Sequence, residues 1–153
     1  MVITTPEEHV GLLISRVQRV STRVFKKMLK QYKDLSINPA QGRILFVLWQ
    51  KDNIPISQLV EDTSLAKSTL TSHLDKLEEK GLIVRLASPG DRRETLVKLE
   101  GKIQQLERSY FHAINLFHDI MFKDMNEKDI KQLVSLLERV LRNLEEHELK
   151  EDN

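Results

Sequence analysis

Residues 57–99 read SQLVEDTSLAKSTLTSHLDKLEEKGLIVRLASPGDRRETLVKL, and this stretch decides the fold. Its centre predicts a helix over residues 66–80, because leucines recur there at helical spacing. The face they share is formed by Leu70, Leu74 and Leu77. Gly81 is well placed to end this helix, since glycine readily adopts the left-handed backbone found just past a helix C-terminus. The pattern therefore predicts a helix with one buried side and one polar side.

A shorter helix is expected immediately before it. Residues 57–62 form a short helical segment, and we expect Ser57 to cap its start with its hydroxyl. Residues 63–65, with the sequence Thr-Ser-Leu, then form a turn. Two helices joined by so short a turn are typical of a helix-turn-helix.

Two strands are expected after Gly81. Residues 82–86 and 95–99 are strand-length and rich in β-forming side chains, and the Pro89-Gly90 pair between them favours a turn. We therefore predict a two-stranded hairpin with a polar, basic loop at residues 87–94. The order helix, turn, helix, strand, basic loop, strand is that of a winged helix-turn-helix, with this loop as the wing.

Long amphipathic helices are predicted on both sides of this unit. Thr5-Pro6 and Asn38-Pro39 each place a capping residue before a proline, and Asn126 is expected to cap the last helix. Apolar residues recur in threes and fours along the first helix and the last two helices, so each of these helices has an apolar face.

The fold class expected is mainly α with a small β-hairpin (α+β), a winged helix-turn-helix flanked by long terminal helices. We predict a DNA-binding domain at residues 37–100, and a helical dimerisation region formed by residues 1–36 and 101–153. A partner subunit is the natural place to bury the apolar faces of the long helices. The alternative is that they pack on one another within one chain.

The polar side of the 66–80 helix is expected to meet DNA. In a helix-turn-helix the second helix enters the major groove, and its N-terminal residues reach base edges. Hydroxyls can read bases or donate to phosphates, and lysines neutralise phosphates. The candidate DNA-binding residues on this helix are Lys67, Ser68, Thr69, Thr71, Ser72 and Lys76. Glu78 and Glu79 would repel the backbone, so we expect that end to point away from DNA. An ordinary solvated helix face is the alternative.

The wing carries the remaining candidates, Asp91, Arg92 and Arg93. Two guanidinium groups at the tip of a β-ribbon can reach a minor groove or its phosphates. We expect Asp91 to brace one arginine by a bidentate pair. A surface hairpin with an ordinary ion pair is the alternative, but the position directly after a helix-turn-helix favours DNA contact.

The sequence resembles the MarR family of bacterial regulators. The resemblance is carried by ISQLVE (56–61), LAKSTLT (65–71), LDKLEEKGLIVR (74–85) and DRR (91–93). It implies a recognition helix at 66–80, a wing at 87–94, a two-fold dimer through the terminal helices and a pseudo-palindromic DNA operator. It also implies that Asp91 and Arg93 are the wing-bracing and DNA-contacting pair.

Three positions depart from the family pattern. Ala66 stands where the family often has a capping serine, and Ser72 stands where a longer polar side chain is common. After Leu99 the chain reaches Gly101 sooner than is usual. The base preference therefore does not transfer from the family to this chain, and the join to the next helix can differ.

By analogy with the family, we expect a homodimeric repressor that a small aromatic or anionic effector releases from DNA. A winged-helix protein-interaction module without DNA binding is the alternative function. An effector pocket can be lined by aromatic residues, although aromatic residues at helical spacing are more often plain core. The candidates for this lining are Phe46, Trp49, Tyr110, Phe111, Phe117 and Phe122.

Composition excludes several other classes. The 153 residues include no cysteine, which excludes disulfides and thiolate metal sites, and the net charge of +1 by itself indicates nothing about DNA. No apolar run is long enough to span a membrane, and the N-terminus lacks the order of a signal peptide. We find no catalytic motif and no spacing typical of a metal site. A cytoplasmic protein without cofactor, metal or enzymatic activity is expected.

Overall fold

The computed structural model describes residues 5–33, 36–101 and 103–152. This part of the chain contains six helices and three short strands. In chain order they are α1 (Pro6–Leu29), α2 (Pro39–Gln50), β1 (Ile54–Pro55), α3 (Ile56–Thr63), α4 (Lys67–Glu79), β2 (Ile83–Ala87), β3 (Thr95–Leu99), α5 (Gln104–Met121) and α6 (Glu127–Glu151). The predicted fold class, mainly helical with a small sheet, is confirmed. Residues 1–4, on which part of the signal-peptide prediction rests, lie outside the described residues.

Capping boxes start three of the helices. The Thr5 hydroxyl accepts a hydrogen bond from the Glu8 amide at 3.3 Å, and the Glu8 carboxylate accepts one from the Thr5 amide in return. Asn38 and Asn126 make the same reciprocal bonds at the starts of α2 and α6. The predicted caps are thus confirmed, and each satisfies backbone amides that a helix start leaves without partners.

The predicted Ser57 cap is wrong. α3 begins one residue earlier, at Ile56, and its N-cap is Pro55, which offers no side-chain cap. Pro55 has extended backbone because it belongs to β1, where it pairs with Leu96 of β3. The sheet therefore has three antiparallel strands in the order β1-β3-β2, one more than the predicted hairpin. A two-residue strand is too short for alternation of apolar and polar residues to reveal it.

The core is built around the leucine stripe of α4. Leu70, Leu74 and Leu77 are fully buried. They belong to one cluster with the buried face of α2, with Leu59 of α3 and with the inner side of the sheet. Gly81 follows α4 with a positive φ of 71°, as predicted for the residue that ends this helix. Burial of the stripe fixes which side of α4 faces solvent.

Contacts divide the chain into two compact units, Met1–Phe117 and His118–Asn153. In the second unit, α6 buries none of its residues. Its apolar side chains are exposed, for example Leu137 by 45% and Leu144 by 63%. In the first unit, the N-terminal half of α1 likewise exposes Val10, Leu13 and Val17. None of the described helices is both long and apolar enough to cross a bilayer.

Gly42 lets α5 approach α2 closely, and an alanine there should destabilise the protein. A Cβ at this position would lie 2.4 Å from Cε2 of Tyr110, which is buried. We expect Gly42→Ala to lower the free energy of unfolding by about 1–3 kcal/mol through overpacking. Urea denaturation measures this change. Gly90→Ala is the control, because a Cβ there meets nothing within 4 Å. Equal urea midpoints for wild type and Gly42→Ala would contradict the described packing of α2 on α5.

Candidate nucleic-acid interface and small-molecule pocket

α3, the turn at residues 64–66 and α4 form the helix-turn-helix. Ser64 adopts the left-handed conformation with φ 56°, and Ala66 is the extended N-cap of α4. Ala66 has no side chain that can cap, so no side-chain bond satisfies the first amides of α4. Free amides at a helix start favour anions such as phosphate. Because Ala66 replaces the capping serine of the family, free amide donors remain at the N-terminus of α4. This is the end of α4 that is expected to meet DNA.

The outer side of α4 presents most of the predicted side chains to solvent. Lys67, Ser68, Thr69, Ser72 and Lys76 are exposed. Thr71 is half-buried, and its hydroxyl donates to the Lys67 carbonyl at 2.9 Å. This hydroxyl has therefore used its only donor within the helix and can offer a partner only an acceptor.

His73 lies on α4 at the edge of its buried face and is half-buried. Burial lowers its pKa, and the neighbouring Lys76 charge lowers it further. Its Nδ1 is buried and has no hydrogen-bond partner in the described residues. His73 is therefore neutral at physiological pH and belongs to the edge of the core.

The wing is ordered by its own backbone bonds. The Asp91 carboxylate accepts a hydrogen bond from the Arg93 amide at 2.9 Å, and only a long contact of 3.5 Å joins it to the Arg93 Nε. The predicted bidentate pair is thus wrong, because one carboxylate oxygen serves mainly the backbone. The Arg93 side chain is 94% exposed, and Arg92 is exposed as well. The terminal guanidinium nitrogens of Arg93 are therefore left for an external partner.

A single groove of about 650 Å³ joins the start of α4 to the wing. Lys67 contributes from α4, and Asp91 and Arg93 contribute from the wing. Pro55, Ile56, Ser57 and Val60 form the side that belongs to β1 and α3. Ser57, predicted as a cap, instead has an exposed side chain in this groove. The groove brings Lys67 of α4 together with Asp91 and Arg93 of the wing, and Glu94 also lines it, whereas Arg92 and the other candidate residues of α4 do not.

Arg85 is a charged residue that sequence reasoning missed. Its Nη2 lies 2.7 Å from both Asp75 Oδ1 and Glu78 Oε2, and its backbone amide donates to Glu78 Oε1 at 3.1 Å. Hydrogen bonds from the Arg85 side chain and amide lower the pKa of Glu78. Arg85 thus ties α4 to β2 and neutralises acids on α4. Glu78, expected to repel DNA, is compensated, and Glu79 alone retains that role.

A second candidate site is a cavity of about 200 Å³ between α1, α2 and α5. We call it the effector pocket, after the effector site expected from the sequence; its lining is Ser21, Thr22, Phe25, Pro39, Arg43, Phe46, Tyr110, Ile114 and Phe117. Of the predicted aromatic lining, Phe46, Tyr110 and Phe117 take part. Trp49 and Phe111 instead pack against the Tyr110 ring. Phe122 contacts the His118 ring in a tilted arrangement.

Arg43 and Tyr110 give the effector pocket its polar character. Burial raises the pKa of Tyr110 to about 12, an effect that the Arg43 charge partly opposes. Tyr110 is therefore a neutral phenol at physiological pH. The pocket thus combines aromatic walls with one guanidinium, a pairing suited to a small aromatic anion.

Comparison with known proteins finds one family model, and the similar proteins are transcriptional regulators. A family model described as MarR family matches residues 37–95. The HTH-type transcriptional regulator MhqR of Bacillus subtilis (strain 168) is 30% identical over 131 residues, covering 84% of this chain and 87% of that protein. The HTH-type transcriptional repressor IacR of Pseudomonas putida is 30% identical over 128 residues, covering 83% and 76%. The crystal structure of a mutant MarR from E. coli complexed with operator DNA aligns with a TM-score of 0.71 at 26% identity, covering 90% of this chain and 99% of that one.

Glu78 should make the protein sensitive to acid. Because its folded-state pKa lies below the ordinary value of 4.5, its stabilising contribution is present above about pH 4.5 and is lost as pH falls through the lower folded-state value. We expect Glu78→Gln to be less stable at pH 7 and to lose less stability on acidification. Urea unfolding measured across this pH range checks the prediction. Glu79→Gln is the matched control on the same helix; identical pH profiles for the two variants would contradict the role of Arg85.

Proposed function

The chain belongs to the MarR family of DNA-binding transcriptional regulators, and we propose that it acts as a homodimeric repressor on a pseudo-palindromic operator. One observation carries the proposal. Lys67 at the start of α4 and Arg93 on the wing line the same groove, so helix and wing can engage one duplex together. Regulation of transcription also fits the expectation that the protein is no enzyme, which stays a prediction, as does its cytoplasmic location.

Each subunit contacts DNA in two grooves under this proposal. The N-terminal turns of α4 enter the major groove, where Ser68, Thr69 and Ser72 meet base edges. Lys67 and Lys76 neutralise flanking phosphates. Thr71 accepts a bond from a base or from water. The wing places Arg92 and Arg93 against the minor groove or its phosphates, with Asp91 holding the loop in shape.

The dimer forms through the terminal helices, residues 1–36 and 101–153, and leaves residues 37–100 to bind DNA. The exposed apolar residues of α6, and separately those of the N-terminal half of α1, support this assignment, because soluble monomers rarely expose large apolar patches. A two-fold dimer presents two copies of α4. Such a pair matches half-sites about one helical turn of DNA apart.

Repression follows from occupancy of the operator, and release follows from an effector. Among the relatives, IacR is named a repressor. The effector pocket supports a small aromatic anion as ligand, since its walls are aromatic and Arg43 supplies the positive charge. Binding there would favour a dimer whose recognition helices no longer match the two half-sites.

Loss of the Arg93 guanidinium should weaken DNA binding without changing the assembly. We expect Arg93→Ala to bind DNA from upstream of its own gene about tenfold less tightly, as is typical for loss of one charged contact. The slope of log affinity against log salt should shrink by about 0.9, the value for one phosphate. Fluorescence anisotropy over a salt series measures both. Light scattering should give twice the 17.9 kDa chain mass for wild type and variant alike.

Lys128→Ala removes the same charge from α6, outside the winged helix, and is the control. Wild type that binds this DNA with no salt dependence, or not at all, would favour the protein-interaction module instead. A monomeric mass would contradict the proposed dimer.

An aromatic anion should release the operator, whereas its neutral isostere should not. We expect saturating benzoate to weaken operator binding by roughly fivefold or more, the range of ordinary allosteric couplings. Benzamide, which has the same ring but no charge, should change it less than about twofold, because the Arg43 charge then gains no partner. Ile114→Trp, which fills the effector pocket with an indole, should keep operator affinity and lose the benzoate response. Equal effects of benzoate and benzamide would exclude an anion-specific pocket.

A further inference from the structure

We propose that Arg43 couples the effector pocket to the helix-turn-helix: its guanidinium holds the turn before α4 in the DNA-binding state, and an aromatic anion withdraws it from that turn. The inference rests on the proposed function, because it describes how the effector acts. It assigns both ligand recognition and transmission to one side chain.

The first observation is the hydrogen bond that Arg43 makes outside its own helix. Its Nη1 donates to the Thr63 carbonyl at 3.1 Å, across 20 residues of sequence. Thr63 is the last residue of α3. Carbonyls at a helix C-terminus lack intrahelical donors and carry the negative end of the helix dipole, so a guanidinium is a favourable partner there. We call this bond the Arg43 clamp.

The second observation is that the turn beyond Thr63 has an unusual backbone conformation and long local hydrogen bonds. Ser64 adopts φ 56°, a region that side chains other than glycine rarely occupy. Its amide reaches the Glu61 carbonyl only at 3.3 Å, and the Leu65 amide reaches the Thr63 hydroxyl only at 3.4 Å. Other contacts hold the ends of this segment: the Thr63 hydroxyl donates to the Leu59 carbonyl, the Leu70 amide donates to the Ala66 carbonyl, and Leu65 packs on the core. The clamp adds a side-chain hydrogen bond from another helix, α2, and α4 starts directly after the turn.

The third observation is that the same guanidinium serves the effector pocket. Arg43 lines this pocket together with Ser21, Thr22 and Tyr110. Its charge acts on the Tyr110 hydroxyl, which places the guanidinium field within the cavity. In the part of the chain that the structure describes, Arg43 has no carboxylate partner, and its side chain is exposed to solvent. An anion entering the pocket thus meets a cation whose strongest partner is a neutral carbonyl.

Competition between these two acceptors produces the coupling. A carboxylate binds a guanidinium by two charge-assisted bonds, which are roughly twice as strong as a bond to a neutral acceptor. A bound aromatic anion that pairs through Nη1 draws Arg43 away from Thr63, and the turn loses the clamp that positions α4. Because coupling is reciprocal, DNA that requires the clamped turn weakens binding of the anion by the same factor.

Substitution of Arg43 tests the clamp without any ligand. We expect Arg43→Gln to bind operator DNA roughly fivefold to tenfold less tightly than wild type, the effect of losing one hydrogen bond from a charged donor. It should also show faster hydrogen exchange at the Ser64 and Leu65 amides. Adding Ser64→Gly, which suits the left-handed turn, should restore operator affinity to within about threefold of wild type. Arg108→Gln removes an equal charge from α5 outside the effector pocket and should change affinity less than twofold.

Benzoate tests whether an aromatic anion withdraws Arg43 from the turn. In wild type it should raise exchange at the Ser64 and Leu65 amides and weaken operator binding, and in Arg43→Gln it should do neither. Arg43→Lys, which keeps the charge but cannot donate two parallel hydrogen bonds to a carboxylate, should respond to benzoate more weakly than wild type.

The outcomes separate two failures. Wild type that does not bind operator DNA would overturn the proposed function itself. Wild type that binds it but does not respond to benzoate, an unrescued Arg43→Gln, or equal benzoate responses of Arg43→Gln and wild type would each overturn the clamp while leaving the regulator intact.

Discussion

Burial of the leucine stripe on α4 is the constraint on which the rest of the structure depends. Leu70, Leu74 and Leu77 have no exposed surface, and they can reach the apolar face of α2 in only one rotation of the helix. Side chains three and four residues apart share a helix face, so this rotation also decides which residues look outward. The hydroxyl and lysine side chains that face solvent are therefore placed by the core beneath them. Folding energy and recognition geometry come from the same contacts.

The pairing of charged side chains is a second constraint on this arrangement. A nearly neutral chain can still bind a polyanion if its acids are occupied where the partner arrives. Asp75 and Glu78 on α4 both form ion pairs with Arg85, and the Asp91 carboxylate accepts a hydrogen bond from the wing backbone. The neighbouring basic groups on α4 and on the wing make no comparable bonds in the described residues. These three carboxylates thus maintain the shape of the unit, and the bases keep their charge for an external partner.

Sequence reasoning succeeds here where the deciding contacts are local. Capping boxes and the leucine stripe involve residues within four positions of one another, and all were predictable. The failed bidentate pair of Asp91 and Arg93 is local, but there the Arg93 amide competes for the carboxylate. The failure at Ser57 instead involves a contact between distant segments: β1 exists only because Pro55 pairs with Leu96, and this pairing moves the start of α3 away from Ser57. Likewise Arg85 acquires its role only when an antiparallel strand brings it to α4. No pattern within a short window contains that information.

α2 contacts both the helix-turn-helix and the effector pocket, and its contacts distinguish two ways in which a bound ligand could act on α4. Its apolar face packs against the stripe of α4, while Gly42 and Arg43 face α5 and the effector pocket. A ligand could act by shifting α2 as a body, but a close-packed core resists such shifts because every displaced side chain loses its contacts. Under the proposed clamp, Arg43 would instead exchange one acceptor for another, which would give two discrete arrangements at little cost to packing. Coupling requires a bistable element of this kind, and the proposal assigns it to α2, whose Arg43 bonds Thr63 and lines the pocket.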